Sequence, residues 1–218
     1  KHTKRGKFGL LGEKLGHSFS PEIHSMLGEY SYKLFEVEPD KVADFIKNGD
    51  FDGLNVTIPY KKVVMELCDE VSEQAMKIGC VNTVKRRNGK VYGYNTDYDG
   101  FRYLLASEGM EINGKKCLIL GTGASSGTVK TVLEDMGASE IVFVSRNGEN
   151  NYENIEKHHD AQVIVNTTPI GMYPNNGECK VKLENFTALE SCVDIVYNPL
   201  KTDLIIQAEK LGVRNTSG

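Results

Sequence analysis

Lys116-Cys-Leu-Ile-Leu-Gly-Thr-Gly-Ala-Ser-Ser126 decides the fold of this 218-residue chain. An apolar run of strand length stops at Gly121, and small residues lead into a helical pattern reaching about Met136. Gly137 ends that helix, and Glu140-Ile-Val-Phe-Val-Ser145 reads as the next strand. A glycine-rich turn between a strand and a helix is where backbone N–H groups and the positive end of a helix can hold a pyrophosphate. Gly121 permits the tight turn, Gly123 lets the backbone approach the phosphates, and Ala124 and Ser125 open the helix. The third small position is Ser126 with Gly127 beside it, so the dinucleotide fingerprint is degenerate. Taken alone, the turn also fits a plain strand-to-helix connection.

Downstream lie a polar stretch over 147–154, a strand over 162–166, a Pro/Gly/Asn-rich stretch over 169–177, a strand over 192–196 and a helix over 202–211. Upstream, strands over 8–11, 32–37 and 54–58 alternate with helices, one opened by Ser20-Pro21 and one over 39–47. Asn88-Gly89 between the runs 81–87 and 90–94 is a strong hairpin signal. A helix over 98–108 follows. The chain is therefore α/β, its first part mixing parallel crossovers with an antiparallel ribbon and its second restarting as a βαβ unit. The residues Asn215-Thr-Ser-Gly218 read as lacking a closing element, so both ends are expected to be cuts in a longer polypeptide.

Composition narrows the function. Hydrophobic residues make up 39% of the chain, and 26 Lys and Arg against 30 Asp and Glu leave a net charge of −4. That balance excludes a disordered or collagen-like chain, and without a basic stripe it argues against a nucleic-acid partner. No apolar run approaches the roughly 18 residues of a spanning helix, so no membrane role is expected. The 5 cysteines are scattered, without a C-x-x-C pair or histidines at ligand spacing, and read as reduced packing residues with no metal site. No signal-like apolar segment follows the basic start, which points to the cytoplasm.

Several polar groups fall at strand ends, where ligands bind in open α/β sheets. Ser18 and Ser20 are alternate residues that in extended chain point the same way and suit a substrate carboxylate. Read alone, Ser20 is equally an N-cap with an incidental neighbour. His17 and His24 read as surface or helix-face residues. Asn55-Val-Thr-Ile-Pro-Tyr-Lys61 sets Thr57 and Lys61 at and beyond a strand's carboxyl end. Asn82 lies in Val81-Asn-Thr83, and Asp97 closes Asn95-Thr-Asp97 before a helix, where by itself it reads as an N-cap. After the strand ending at Ser145 there is no carboxylate to bind a ribose, and Arg146 points to the 2′-phosphate of NADP unless it is simply a solvated arginine.

Together these segments resemble the shikimate dehydrogenase family. The matching pieces are Gly16-His-Ser-Phe-Ser-Pro21 with His24, Asn55-Val-Thr-Ile-Pro-Tyr-Lys61, Gly79-Cys-Val-Asn-Thr83, Gly93-Tyr-Asn-Thr-Asp97, Gly121-Thr-Gly123, Asn166-Thr-Thr-Pro-Ile-Gly-Met172 and Asp194-Ile-Val-Tyr-Asn-Pro199. The resemblance implies an N-terminal mixed-sheet substrate-binding catalytic domain over 1–97 and a Rossmann-like NADP-binding domain over 98–218, with the active site in a cleft between them. It implies NADPH-dependent, reversible reduction of 3-dehydroshikimate to shikimate, on the chorismate route to aromatic amino acids. Lys61 and Asp97 would be catalytic, and Ser18, Ser20, Thr57, Asn82 and Tyr197 would bind substrate. Gly121, Gly123, Ala124, Ser125, Ser145, Arg146, Met172 and Gly218 would line the cofactor path.

Two departures stand out. The family often carries a second arginine four residues after the first, where this chain has Asn150. It also follows a glycine like Gly218 with a helix that returns to the first domain bearing a substrate-binding glutamine, and this sequence stops before it. An NAD-using quinate/shikimate dehydrogenase and a non-catalytic dinucleotide-binding module remain the alternatives. The expected partners are small molecules, and the expected state a monomer or homodimer.

Overall fold

The computed structural model describes residues 6–16 and 18–218, so the reading of His17 lies outside the described residues. The chain divides after Asp97 into two compact units.

The first unit contains β1 (Lys7–Gly12), α1 (Ser20–Leu27), β2 (Ser31–Glu36), a 3-10 turn (Pro39–Lys41) running into α2 (Val42–Asn48), β3 (Gly53–Val56), α3 (Lys61–Leu67), β4 (Glu70–Val71), α4 (Glu73–Ile78), β5 (Thr83–Arg87) and β6 (Lys90–Tyr94). α5 (Thr96–Ser107) begins in this unit. The strands form one mixed sheet in the order β2-β1-β3-β5-β6-β4. β1 runs parallel to β2 and β3, whereas β5 is antiparallel to both β3 and β6. Asn88 and Gly89 adopt φ of 51° and 77° at the hairpin, as a two-residue turn matched to strand twist requires.

Alternation sends Leu54, Val56, Val84 and Val91 to one face, where Val42, Ile46 and Val64 from α2 and α3 close the core. Each such side chain contributes roughly 1.5–3 kcal/mol on burial. The strand directions have a consequence for chemistry. The carboxyl ends of β1, β3 and β6 and the start of β5 share one edge of the sheet, so the loops leaving them converge.

The second unit contains β7 (Lys116–Leu120), α6 (Ala124–Asp135), β8 (Glu140–Val144), β9 (Val163–Asn166), β10 (Ser191–Asp194), α7 (Asp203–Lys210) and β11 (Arg214–Ser217). All its strands are parallel, in the order β11-β10-β9-β7-β8. Leu118, Leu120, Val144, Ile164 and Cys192 pack against Leu204 and Ala208 of α7. A parallel sheet covered on both faces needs such near-continuous apolar strands. From β8 the chain crosses β7 to add β9 on its other side, which puts a topological switch point at the carboxyl ends of β7 and β9.

The structure corrects four expectations. β11 is a paired edge strand where no closing element was expected; its polar sequence Arg-Asn-Thr-Ser carries no apolar alternation, and pairing to β10 supplies its order. α3 and α4 were not anticipated, because helices of 7 and 6 residues are too short for a periodic signal. The caps of α4 were nonetheless present: Ser72 accepts from the Ala75 N–H, and Gly79 takes φ 81° at the end. Ser20 is not an N-cap but the first helical residue, with Phe19 in the cap position. Nor is the segment from Ser18 to Ser20 extended, since Phe19 has φ −77° and ψ −3°.

The cysteines are free, and burial pushes the Cys117 thiol up to about 12, so it is an inert packing group. Among the described residues no helix is long and apolar enough to cross a membrane, and no group of three or more His, Cys, Asp or Glu is placed to hold a metal ion.

Candidate active site

In the first unit the converging loops bring together residues far apart in sequence. The Thr57 N–H donates to the Leu11 carbonyl at 2.9 Å, tying the turn after β3 to β1. Lys61 opens α3, and its carbonyl accepts from the Val81 N–H at 3.0 Å. Asp97 is the second residue of α5, a position that favours a carboxylate because the first helical N–H groups are unpaired. Its own N–H donates to Asn95 Oδ1 at 3.1 Å, and the buried Asn95 amide donates to the Cys80 carbonyl at 3.2 Å.

Lys61 Nζ lies 3.4 Å from Asp97 Oδ2, with side chains 31% and 57% exposed. So open a pair contributes less than about 1 kcal/mol to stability. Its importance is positional: an ammonium and a carboxylate, each at the start of a helix, face the same solvent-accessible edge.

Asn82 joins this edge from the start of β5. Its backbone bonds both neighbours, with the Val56 N–H donating to Asn82 O at 2.7 Å and the Asn82 N–H to Tyr94 O at 3.0 Å. Its Oδ1 accepts from the Thr96 N–H at 2.9 Å, the Thr96 hydroxyl at 3.2 Å and the Thr83 hydroxyl at 3.1 Å. Ser18 sits on the connection after β1, and Ser20 opens α1. Ser18 Oγ accepts from the Ser20 N–H at 3.2 Å, so a local side-chain turn, rather than strand alternation, sets the Ser18 hydroxyl.

In the second unit the glycine turn occupies the switch point. Gly121 has φ +102°, and a Cβ there would lie 2.7 Å from Thr168 Cγ2 and 3.1 Å from Thr167 Oγ1. Both torsion and space therefore demand glycine. A Cβ on Gly123 would meet nothing within 4 Å, and the start of α6 carries no side-chain cap. Open backbone N–H groups at the end of a 12-residue helix, with Ala124 and Ser125 exposed beside them, suit a pyrophosphate. Ser126 is buried and donates to the Gly123 carbonyl at 2.7 Å, so it serves the close helix–strand packing of the third small position.

Beyond β8 the Ser145 N–H donates to the Asn150 carbonyl at 3.0 Å, closing a tight loop from which the exposed Arg146 projects. Asn150 Oδ1 is engaged by His158 Nε2 at 2.9 Å, so this side chain is already occupied. Met172 and Tyr197 are 44% and 69% exposed. The Gly218 N–H donates to the Asp194 carbonyl at 2.8 Å at the end of β11.

Asp194 was not singled out from the sequence. It is fully buried at the end of β10, where Oδ1 accepts from Asn166 Nδ2 at 2.9 Å and the Val196 N–H at 3.0 Å, and Oδ2 from the Thr202 hydroxyl at 2.7 Å. Burial raises its pKa above the ordinary carboxylate value, and the three hydrogen bonds only partly offset this. Asn166 in turn accepts from the Thr168 N–H at 3.0 Å, fixing the residues that stand over Gly121.

The sequence profile of the shikimate dehydrogenase substrate binding domain matches residues 10–84. A shikimate dehydrogenase (NADP(+)) of Clostridium perfringens is 39% identical over 97% of this chain and 86% of its own length. The chain belongs to the shikimate dehydrogenase family. Among solved shikimate dehydrogenase structures, the chorismate mutase/shikimate 5-dehydrogenase fusion protein of Clostridium acetobutylicum superposes with TM-score 0.89 and 38% identity, covering 99% of this chain and 86% of that one. The shikimate 5-dehydrogenase of Thermus thermophilus, solved in complex with NADP(H) and shikimate, gives TM-score 0.81 and 29% identity over 97% and 86% of the two chains.

Proposed function

We propose that this chain is an NADP-dependent shikimate dehydrogenase that reversibly reduces 3-dehydroshikimate to shikimate. The observation that carries the reading is the Lys61–Asp97 pair, 3.4 Å apart at two helix starts on the sheet edge that also presents Asn82 and Thr57. In this reading the unit through Asp97 binds substrate and the unit from Tyr98 binds the dinucleotide. Bound NADPH supplies a hydride to the carbonyl carbon.

The residues of the chain handle the oxygen atoms. Negative charge builds on the carbonyl oxygen, and the Lys61 ammonium donates a hydrogen bond and then a proton to it. The resulting amine regains its proton from solvent. Asp97 holds Lys61 in direction and accepts from a ring hydroxyl. Ser18 and Ser20 donate to the substrate carboxylate, while Thr57 and Tyr197 contact the ring hydroxyls. Asn82 has spent its carbonyl on three donors, so it offers the substrate its NH2 group.

The uncapped start of α6 at Gly123, Ala124 and Ser125 fits the pyrophosphate. Arg146, with Ser145 beside it, fits the 2′-phosphate as a planar, charge-assisted donor. Met172 and Gly218 complete the cofactor path in this assignment. The net charge of −4 supports small-molecule partners over nucleic acid, and we place the enzyme in the cytoplasm as a monomer or homodimer.

The direct test follows NADPH absorbance on addition of 3-dehydroshikimate. Substrate-dependent loss is expected, and tight NADPH binding without it would mark a non-catalytic module instead. Gly121→Ala is expected to weaken NADPH binding about tenfold or more, because the positive φ and the approach to Thr168 each resist a Cβ, and about 1.4 kcal/mol of strain suffices for that factor. Titration of NADPH against the variant by fluorescence checks it. Wild-type affinity would show that the turn does not hold the cofactor.

A further inference from the structure

α1 buries none of its own residues, yet it carries Ser20. What fastens it to the sheet is aromatic. The His24 ring stacks on Tyr32 of β2 with centroids 3.7 Å apart and planes 12° from parallel, and His24 Nδ1 lies 2.7 Å from the Tyr30 hydroxyl.

From Tyr32 a line of hydrogen bonds crosses the sheet. The Tyr32 hydroxyl bonds Asn55 Oδ1 at 2.8 Å, Asn55 Nδ2 bonds Thr83 Oγ1 at 3.5 Å, and Thr83 Oγ1 bonds Asn82 Oδ1 at 3.1 Å. Its direction is set at the far end. A backbone N–H can only donate, so the Asn82 atom that meets the Thr96 N–H at 2.9 Å must be the carbonyl oxygen. The Thr83 hydroxyl then donates to that oxygen and accepts from the Asn55 amide, which turns the Asn55 carbonyl toward Tyr32. Tyr32 closes the series as a phenol that must donate. Its pKa is raised above the ordinary tyrosine value by burial, against a smaller opposing effect of a hydrogen bond with Ser20, so the donating form persists.

We propose that Tyr32 is a positioning residue: held by His24, its hydroxyl closes a one-way relay through Asn55 and Thr83, whose direction the Thr96 N–H sets, and so keeps the Thr83 hydroxyl on the Asn82 carbonyl and steadies the Asn82 amide with its NH2 turned to the substrate. The proposal rests on the dehydrogenase reading. The relay also joins the two halves of the substrate site, since Tyr32 stacks on His24 of the helix that Ser20 opens at one end, while Asn82 bonds Thr96, next to Asp97, at the other. The longest link, between Asn55 and Thr83, is at 3.5 Å the limit of hydrogen bonding and is therefore where loss of the Tyr32 donor most readily lets the Asn55 amide turn and frees the Thr83 hydroxyl from its donor.

The test is steady-state kinetics on the wild type and on Tyr32→Phe, Thr83→Val and Thr83→Ser. Losing one net hydrogen bond predicts about a three- to tenfold rise in KM for 3-dehydroshikimate in Tyr32→Phe. Turnover and KM for NADPH should stay within about twofold of wild type. Thr83→Val should reproduce the effect and Thr83→Ser should reverse it. The double variant Tyr32→Phe/Thr83→Val should be no worse than the poorer single variant, because both cut the same relay. A wild-type KM in Tyr32→Phe, an equal effect on NADPH, or additive losses in the double variant would overturn the relay alone. Absence of turnover in the wild type would overturn the dehydrogenase reading and this proposal with it.

Discussion

Lys61→Ala is expected to lower kcat at least tenfold, with a smaller change in KM for 3-dehydroshikimate. Proton donation by a positioned group is worth about 10²–10⁴ in rate, or roughly 3–5 kcal/mol of barrier. In the first unit Lys61 Nζ is 3.4 Å from Asp97 Oδ2, and the Lys61 carbonyl is pinned by the Val81 N–H at 3.0 Å. Because the ion pair is open to solvent, its removal should cost less than about 1 kcal/mol of stability. The unfolding midpoint should then move by no more than about 2–4 °C in a protein of this size. A large fall in turnover with an intact fold would therefore report chemistry. Partial rescue by a small primary amine would identify the missing function as proton donation. Turnover like that of the wild type would remove Lys61 from the mechanism.

How far the sequence alone reaches can be read from individual residues. The run ending at Leu120, the paired positive-φ residues Asn88 and Gly89, and the stop at Gly137 all carry local physical signatures, and each is realised as expected. Lys61 and Asp97 were singled out for a different reason, the ordered resemblance across the chain, and the structure brings their side chains to 3.4 Å. Nothing in their own neighbourhoods separates an acid–base pair from a solvated lysine and an N-cap aspartate. Tyr32 and Thr83 were invisible because a tyrosine and a threonine in strands are what strand propensity already predicts. Their function resides in a bond network between strands that approach only in the folded sheet. For Ser18 and Ser20 an extended segment was assumed, where Phe19 turns the chain and brings the Ser18 hydroxyl to the Ser20 N–H. β11 was missed because an edge strand of polar residues is specified by the register of its partner, Ser191 beside Arg214 through Asp194 beside Ser217, and by nothing in its own sequence.

Asp194 shows the same limit in its energetic form, and carries the second large expected effect. Three donors from three elements end on this fully buried carboxylate: Asn166 of β9, the Val196 N–H after β10, and Thr202 at the start of α7. Asp194→Ala strands all three. At about 1–3 kcal/mol for each buried group left unsatisfied, the loss should be about 3 kcal/mol or more, a large share of the 5–15 kcal/mol typical of a domain. Denaturant unfolding measures it, and a shift below about 1 kcal/mol would show that water or rearrangement replaces the carboxylate.

Asp194→Asn isolates the charge. Burial raises the folded pKa above the unfolded value of about 3.9, so between the two the native state binds more protons than the unfolded chain. Stability from this group is then fully present below the unfolded pKa and is lost as pH rises through the folded one. At neutral pH the wild type carries a burial penalty that the asparagine variant lacks, while the variant has one fewer acceptor for Thr202. The free-energy difference between them should therefore shift in favour of Asp194→Asn as pH rises from about 4 toward neutrality. A difference that stays flat over that range, or moves the other way, would mean that the three donors outweigh desolvation and that the carboxylate is ionised at no cost. The expected shift would instead mark a costly acid retained for geometry, because it fixes both Asn166, which holds Thr168 over Gly121, and the loop that carries Tyr197.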